Sequence, residues 1–405
     1  MIPLLRKRLL KSFVSFVRSD GDDGFRDVEF FESIILFDTA KDTCVKLRNL
    51  CEIDKGVTLV TARSGYGKTW LLKYIYMKGS GFSFFIKAKE CTKGVEFAIA
   101  RKIEGIENDL GLLKTLIYTN TVKILIDGVN EASPEALVRI SDFCETFGKS
   151  SIVLTSQPFE WKDRPNFSRQ IFIEGMSTDL AVEFLVSRYA FFGSKSCLTQ
   201  SEYKKACCQL LRDETMRGKF GDDWKRLLNV FDLSLIGSLL SEEISPASSN
   251  LVRQQLELVE HDFRNTNEGR LFNFWKLGSN VLKMRMEGND EIDSSQFGAE
   301  LLCMEEHRIV YRRTLQIAGN QENWYFRHQR YSDYLIASFM ATCDENELMG
   351  WFTESRLYGA ICNLVWLLEE ADLVNLRNRI IEFSTKSGDF ELLKSFEESR
   401  LMLYS

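Results

Sequence analysis

At 405 residues the chain is too long for one hydrophobic core, and its 44% hydrophobic and 27% charged residues are typical of a folded protein, so we expect several domains and no long disordered segment. Its net charge of −6 gives no broad attraction for nucleic acid, which we do not expect as the main partner. The ten cysteines form no CxxC pair and only three histidines accompany them, which favours free thiols in the cytoplasm over disulfides or a structural zinc site.

The N-terminal segment, residues 1–19, is basic and amphipathic. Its Lys11 interrupts the apolar stretch and no small-residue cleavage site follows, which argues against a signal peptide. No apolar run in the chain reaches the roughly 18 residues that a transmembrane helix needs, so we predict none. We expect a helix within 1–50 that docks on this protein or on a partner rather than in a membrane. Its apolar stripe consists of Ile2, Leu5, Leu9, Phe13 and Phe16.

From residue 57 to 175, short apolar runs alternate with helical stretches. Continuous apolar strands separated by helices are typical of a parallel sheet covered on both faces. The sequence therefore predicts a three-layer α/β domain. Its predicted strands are 57–62, 82–89, 122–129, 151–156 and 170–175, with helices at 69–77, 94–118 and 134–147.

After residue 175 the strand pattern stops, and helical periodicity dominates. Two short β-like runs, 307–313 and 324–328, are separated by a turn that contains Gly319 and Asn320. Helices combined with such a hairpin favour a winged helix. Helices are predicted at 177–192 and 331–340, and a further helix follows residue 291. The stretches 198–243 and 250–287 are predicted to be helical and are divided by a turn cluster at 245–250, and the residues from 343 onward are also expected to be helical.

The segment 62–70, ARSGYGKTW, joins the first predicted strand to the first helix. Backbone N–H groups of a glycine turn and of the following helix N-terminus form an anion site. Gly65 and Gly67 permit the left-handed backbone that such a turn needs, and Lys68 can reach the β- and γ-phosphates of a nucleotide. Ala62 stands where the common pattern has glycine, which is tolerable if it keeps strand-like dihedral angles. We predict nucleotide binding by Ala62, Arg63, Ser64, Gly65, Tyr66, Gly67, Lys68, Thr69 and Trp70.

A second motif, ILIDGVNE at 124–131, places Asp127 at the end of an apolar strand and Glu131 just beyond it. A carboxylate at the carboxyl end of a parallel strand faces the same crevice as the glycine turn. We predict that Thr69 and Asp127 hold Mg²⁺, Asp127 directly or through water. Glu131 is expected to orient or deprotonate the attacking water, so the predicted catalytic residues are Lys68, Asp127 and Glu131.

Four segments, ARSGYGKTWLL, ILIDGVNEAS, IVLTSQP and IFIEGMSTDLAVEFL, resemble in order and spacing the NACHT domain of the STAND signal-transduction ATPases, a group that includes NOD-like immune receptors and bacterial anti-phage proteins. WYFRHQRYSDYLIASFM looks like the end of the family's winged helix. The resemblance implies a P-loop NTPase fold in which residues 1–50 lead in, 51–175 form the NTPase core, 176–245 a helical lid, 246–342 a winged helix and 343–405 a helical tail.

The resemblance also implies how such a protein works. ADP locks the winged helix against the core, and ligand-prompted exchange for ATP releases it and permits self-oligomerisation. His328 matches the winged-helix histidine that touches the β-phosphate in the closed form. We expect ATP or ADP with Mg²⁺, slow ATP hydrolysis, and a role in innate immune or anti-phage defence with a phage-derived trigger. Effector and sensor domains are not evident, so we expect them to be missing from this sequence, supplied by partner subunits or reduced to the two termini.

Three departures from the family pattern bear on activity. Asn130 replaces a second aspartate, which reduces the charge near the metal. Gln157 replaces the arginine that acts as a γ-phosphate sensor, and a glutamine can hydrogen-bond a phosphate oxygen but cannot neutralise developing charge. The proline that often marks the adenine pocket is absent from 229–236, so the base-binding residues stay unassigned.

Two alternative functions remain open at this point. One is an AAA+-type ATPase that acts on DNA, for which Arg312 and Arg313 in the hairpin could contact phosphates, although 287–306 is acid-rich and no basic recognition helix stands out. The other is a scaffold that keeps a nucleotide as a structural cofactor without hydrolysing it, which Asn130 and Gln157 make plausible. Cys207 and Cys208, adjacent in a predicted amphipathic helix, are interpreted as core residues.

Overall fold

The computed structural model describes residues 35–38, 43–46, 55–78, 82–102, 110–159, 161, 163–192, 196–212, 228–246, 250–315 and 321–403. The predicted helix at 1–19 and the turn at Gly319 and Asn320 lie outside these ranges. The chain divides into two compact units, Met1–Met176 and Ser177–Ser405.

The first unit contains a seven-stranded sheet with the strand order β2-β1-β7-β3-β6-β5-β4. Strands β3 to β7 pair in parallel, and the antiparallel strands β1 and β2 extend the sheet beyond β7. The predicted five-stranded parallel sheet is therefore confirmed, whereas the two short edge strands were not predicted. The strands are β1 Ile35–Asp38, β2 Thr43–Lys46, β3 Gly56–Thr61, β4 Phe82–Lys87, β5 Val122–Asp127, β6 Ser151–Ser156 and β7 Arg169–Ile173.

Helices connect β3 to β4, β4 to β5 and β5 to β6, as expected for an α/β unit, whereas the described residues between β6 and β7 contain none. Of the stretch 94–118, predicted to be helical, the described residues form two helices, and the predicted strand at 82–89 ends at Lys87 because the chain turns there into a 3-10 helix. The α-helices are α1 Lys68–Lys78, α2 Val95–Ala100, α3 Leu110–Tyr118 and α4 Pro134–Thr146, and the 3-10 helices are Ala88–Lys93 and Val129–Glu131.

The sheet is covered on both faces. One face packs against α2, α3 and α4 in a buried cluster that includes Leu59, Ile126 and Leu154. Helix α1 packs along β4, β5 and β6, and its buried Leu71 and Ile75 do not belong to that cluster, so α1 covers the opposite face. Alternate residues of each buried strand thus meet apolar side chains on either side, which explains the continuous apolar runs.

The described part of the second unit is helical apart from one hairpin. In the hairpin, Val310 pairs with Phe326, and a bridge between Ile292 and Trp324 adds a third short segment beside β9. The strands are β8 Val310–Leu315 and β9 Gln321–Phe326. The α-helices are α5 Thr178–Phe192, α6 Gln200–Arg212, α7 Val230–Ser241, α8 Leu251–Thr266, α9 Phe274–Met286, α10 Gly298–Glu306, α11 Gln329–Met340, α12 Glu345–Gly350, α13 Tyr358–Asn363, α14 Glu370–Ser387 and α15 Glu391–Leu403, with 3-10 helices at Ser294–Gln296, Ser355–Leu357 and Leu364–Trp366.

The stretch 250–287, predicted to be helical, divides into two helices. Helix α8 ends at Thr266, and Glu268 and Gly269 follow with φ angles of 52° and 82°, which a continuing α-helix does not allow. Helix α9 then starts afresh, with the Asn273 side chain accepting a hydrogen bond from the Lys276 N–H. Because the hydrophobic periodicity continues across the break, the sequence pattern does not reveal where α8 ends.

Helix α11 is held tightly in the second unit. A Cβ added to Gly278 of α9 would lie 1.9 Å from the Leu335 carbonyl oxygen, so the two helices approach at a distance that only glycine permits. The Arg285 guanidinium donates to Asp333 and Ser332 of α11, and both partners are buried. Helix α13 also packs against α11, and it contacts the C-terminal helix α15 in turn.

Candidate phosphate-binding site

The glycine turn lies between β3 and α1, at the carboxyl end of β3. Gly65 and Gly67 have φ angles of 88° and 87°, in the left-handed region that a residue with a Cβ rarely adopts. Ala62 is fully buried, and its N–H donates to the Ser156 carbonyl at 3.2 Å, which continues the β3–β6 ladder by one residue. The alanine is therefore accommodated because it continues the strand rather than forming part of the turn.

At their carboxyl ends, the chain leaves the adjacent strands β3 and β6 toward opposite faces of the sheet. After β3 the chain enters α1 on one face, and after β6 the side chains of Phe159, Trp161 and Phe167 pack on the cluster of the other face. Divergence of this kind opens a crevice outside the carboxyl ends of the two strands, where open α/β sheets bind ligands.

Lys68, the first residue of α1, folds back over the turn. Its Nζ donates to the carbonyl oxygens of Ala62 and Arg63, both at 2.8 Å. Burial lowers the pKa of the Lys68 ammonium to about 8, although the negative charges of Asp127 and Glu131 act in the opposite direction. An anion in the turn would offset the desolvation of this ammonium.

Thr69 and Asp127 meet across the sheet edge. The exposed Thr69 hydroxyl donates to Oδ2 of Asp127 at 2.7 Å, although β6 lies between the strands that carry the two motifs. Hydroxyl and carboxylate oxygens are ligands that Mg²⁺ prefers, and Mg²⁺ commonly takes one or two protein ligands and completes its shell with water and substrate phosphates. The pair therefore fits Mg²⁺. Within the described ranges, no group of three or more His, Cys, Asp or Glu residues could form a metal cage made of protein ligands alone.

Thr155 is a site residue that the sequence analysis does not predict. The pairing of Ile126 with Leu154 puts Thr155 level with Asp127 on the next strand. The Thr155 hydroxyl donates to Oδ1 of Asp127 at 2.5 Å and accepts a hydrogen bond from the Gly128 N–H at 3.1 Å. The only sequence signal is a hydroxyl residue near the end of an apolar strand, and its partner is evident only from the strand order.

Glu131 ends a short 3-10 turn, Val129–Glu131, that directly follows Gly128. Gly128 has a φ angle of 74°, and a Cβ on it would lie 3.2 Å from the Glu131 carboxylate. Glycine at this position therefore satisfies the left-handed backbone and also leaves room for that carboxylate. Glu131 and Asp127 thus lie at the two ends of one compact turn beside the glycine loop.

Asn130 connects this turn to the end of β6. Its side chain is buried, and its Oδ1 accepts a hydrogen bond from the Gln157 N–H at 2.9 Å. From the sequence, Asn130 is a lost negative charge near the metal, whereas the structure gives its amide a local partner. Farther along, Asp163 is held by the Ser141 hydroxyl, which donates to its carbonyl oxygen at 2.6 Å.

The other residues predicted to bind the nucleotide belong to the glycine turn or to the first turn of α1. Arg63, Ser64 and Tyr66 are half-buried. The Trp70 ring is also half-buried, and the Lys73 Nζ lies 4.7 Å from its centroid. The structure thus brings together in the first unit every predicted site residue except His328.

His328 lies in the second unit, at the N-terminus of α11. Its Nδ1 accepts a hydrogen bond from the Arg330 N–H at 3.1 Å, so the neutral ring carries its proton on Nε2. The ring stacks on Phe231 of α7 with centroids 3.9 Å apart, and the Arg330 guanidinium pairs with Asp232 of the same helix. Helix α7 thus fixes the ring plane of His328.

Two other residues that stand out in the sequence, Arg312 and Cys207, have local structural roles. Arg312 of the hairpin pairs with Glu305 of α10 at 2.9 Å. Cys207 is buried, and burial raises the pKa of its thiol to about 12, as expected for a core residue rather than a nucleophile. Among the described residues, no helix is long and apolar enough to span a membrane.

No family model and no curated protein matches the sequence. Among solved structures, a STAND protein with a tetratricopeptide repeat sensor from Pyrococcus horikoshii aligns with 87% of this chain and 51% of its own, at a TM-score of 0.35 and 12% identity, so this chain spans about half the length of that protein. The RuvB Holliday junction branch migration motor from Thermotoga maritima aligns with 72% of this chain and 89% of its own at a TM-score of 0.29 and 9% identity. The Orc1 protein from Aeropyrum pernix, solved in complex with DNA, aligns with 75% of this chain and 93% of its own at a TM-score of 0.31 and 11% identity. Structural similarity at these TM-scores and sequence identities supports no conclusion about function.

Proposed function

We propose that the chain is a P-loop ATPase that acts as a nucleotide-gated switch of the NACHT or STAND type. The observation that supports this best is the hydrogen bond from Thr69 to Asp127, at 2.7 Å, because it joins the glycine turn to the carboxylate motif across an intervening strand. A chance Gly-Lys-Thr sequence in a loop would have no reason to meet an acidic strand end in this way.

In this proposal the turn and α1 bind the phosphate chain of ATP or ADP. Backbone N–H groups of the turn point at the phosphates, and Lys68 moves from the carbonyl oxygens of Ala62 and Arg63 to the β- and γ-phosphate oxygens. Thr69 and Asp127 would hold Mg²⁺, which supplies neutralisation of charge on the phosphates when it is bound. Releasing Lys68 breaks its hydrogen bonds to these two carbonyl oxygens.

Hydrolysis is assigned to Glu131, which would orient or deprotonate the attacking water. Gln157, held by Asn130, can donate a hydrogen bond to a phosphate oxygen but adds no positive charge. Turnover is therefore expected to be slow, which suits a switch that spends most of its time in one nucleotide state.

The switch itself would operate through the second unit. We assign the Nε2–H of His328 to the β-phosphate of ADP in a closed state, in which the winged helix is locked against the core. Exchange for ATP, triggered by a ligand such as a phage component, would release the lock and permit self-oligomerisation. The support is the family resemblance, together with an imidazole whose tautomer and ring plane are set by Arg330 and Phe231.

The alternatives are less well supported. For DNA binding, the helix before the hairpin would be the reader, yet α10 has the sequence GAELLCMEE, and Arg312 is paired with Glu305. The non-hydrolysing scaffold is the stronger rival, because Gln157 weakens the catalytic set while leaving phosphate binding intact.

Substituting Glu131→Gln separates a slow ATPase from a scaffold. We expect the variant to bind ATP as the wild type does, to lose about 100-fold or more in turnover, and to accumulate as oligomer. The measurements are single-turnover hydrolysis and light scattering after addition of Mg-ATP. Glu135→Gln, an exposed carboxylate in the first turn of α4, is the matched control and should behave as wild type. Unchanged turnover and assembly in Glu131→Gln would favour the scaffold.

A further inference from the structure

The Thr155 hydroxyl makes two hydrogen bonds of opposite sense. It donates to Oδ1 of Asp127 at 2.5 Å and accepts from the Gly128 N–H at 3.1 Å. Because its one proton goes to the carboxylate and a lone pair accepts from the amide, turning the hydroxyl would break the hydrogen bond to Asp127. The hydroxyl thus fixes the carboxylate and the first peptide of the following turn at the same time.

This arrangement fixes the plane of the Asp127 carboxylate. Oδ1 accepts from Thr155, and Oδ2 accepts from the Thr69 hydroxyl at 2.7 Å. Without the Thr155 hydroxyl, the carboxylate loses one of these two contacts and can turn about its Cβ–Cγ bond. Such a turn would alter the geometry of the Thr69–Asp127 pair, which is the pair that fits Mg²⁺.

Solvent does not reach this hydroxyl in the folded protein. Thr155 has 0% of its surface exposed, in the middle of a sheet covered on both faces. Removing the hydroxyl leaves the buried Gly128 N–H without this partner and takes one hydrogen bond from the half-buried Asp127 carboxylate. Outer-shell partners of this kind tune metal sites strongly.

We propose that Thr155 is the positioning residue that orients Asp127 for Mg²⁺, and that it thereby couples magnesium to nucleotide binding. This inference rests on the proposed function. It assigns Thr155 no contact with the nucleotide, so loss of its hydroxyl should weaken the magnesium-dependent part of binding and leave the phosphate contacts of the glycine turn in place.

The test compares ADP affinity by calorimetry in EDTA with ADP affinity in excess MgCl₂. The ratio of the two affinities measures the coupling, and the association of Mg²⁺ with free ADP is the same for every variant. The variants are Thr155→Val, which keeps the shape, and Thr155→Ser, which keeps the hydroxyl. Thr58→Val is the matched control, since Thr58 is a buried threonine of β3 that lies away from the carboxyl end.

We expect Thr155→Val to keep its affinity in EDTA within about twofold and to lose about 10- to 100-fold of the magnesium-dependent tightening. Thr155→Ser and Thr58→Val should keep the wild-type ratio. If Thr155→Val does not fold, Thr155→Ala replaces it in the same comparison.

Three results would overturn the inference. They are a wild-type ratio in Thr155→Val, an equal loss of affinity in EDTA and in MgCl₂, and a wild-type protein whose ADP binding ignores magnesium. A wild-type protein that binds no ADP under either condition would instead refute the proposed function, and the inference with it.

Discussion

At the scale of single residues, Lys68 makes the proposed site dependent on pH. Burial lowers the pKa of its ammonium to about 8 when only backbone carbonyls and the two carboxylates surround it. A bound phosphate chain would raise this pKa, because opposite charge favours the protonated form. Below pH 8 the ammonium is charged in both the free and the bound protein, so affinity should be level there. Above pH 8 the free protein loses the proton that the complex retains, so affinity should fall.

We therefore expect ADP affinity in EDTA to drop by about 25-fold between pH 7.5 and pH 9.5, as one proton is taken up on binding. Calorimetry at a series of pH values measures this directly. Lys68→Met serves as the control, since it should bind weakly and without this pH dependence. A flat wild-type profile over the same interval would mean that Lys68 does not meet the phosphates.

The residues of the site differ in how far the sequence predicts them. Gly65, Gly67, Lys68 and Thr69 were predictable because their chemistry depends on spacing within one turn. Thr155 was not, because its role depends on β6 lying next to β5, and strand order is set by crossovers that no local pattern encodes.

At the scale of elements, the contact between α9 and α11 leaves no room for a side chain at Gly278. We expect Gly278→Ala to destabilise the second unit by about 1–3 kcal/mol or more, because the new Cβ would lie 1.9 Å from the Leu335 carbonyl and force the helices apart. Urea unfolding measures the change. Gly298→Ala is the matched control, since nothing lies within 4 Å of its Cβ position in α10, and it should leave stability unchanged or slightly raised. Equal stability of Gly278→Ala and wild type would contradict the close packing.

Elements were predicted well where periodicity is strong and poorly where it is short or interrupted. The buried strands β3 to β7 have continuous apolar runs, and their positions agree with the sequence within two residues at each end. Strands β1 and β2 have only four residues each, too few to show a period. The break between α8 and α9 depends on two residues with positive φ, which leave the apolar pattern unchanged.

At the scale of the whole molecule, the chain divides at Met176 and Ser177, directly before α5. The first unit carries the proposed phosphate and magnesium residues, and the second carries His328 with the helix that fixes it. The subdivision of the second unit into lid, winged helix and tail stays a prediction, as does the nucleotide contact of His328. The two parts of the proposed switch are thus assigned to separate units.

The most direct test of this account is to purify the protein gently, denature it and identify any released nucleotide by chromatography. The account predicts ADP in an amount close to one per chain, and none from Lys68→Ala prepared in the same way. Intact ATP would favour the non-hydrolysing scaffold over the switch. A wild-type protein that releases no nucleotide, and that binds none when Mg-ATP is added, would contradict the central claim that the segment 62–70 binds a nucleotide.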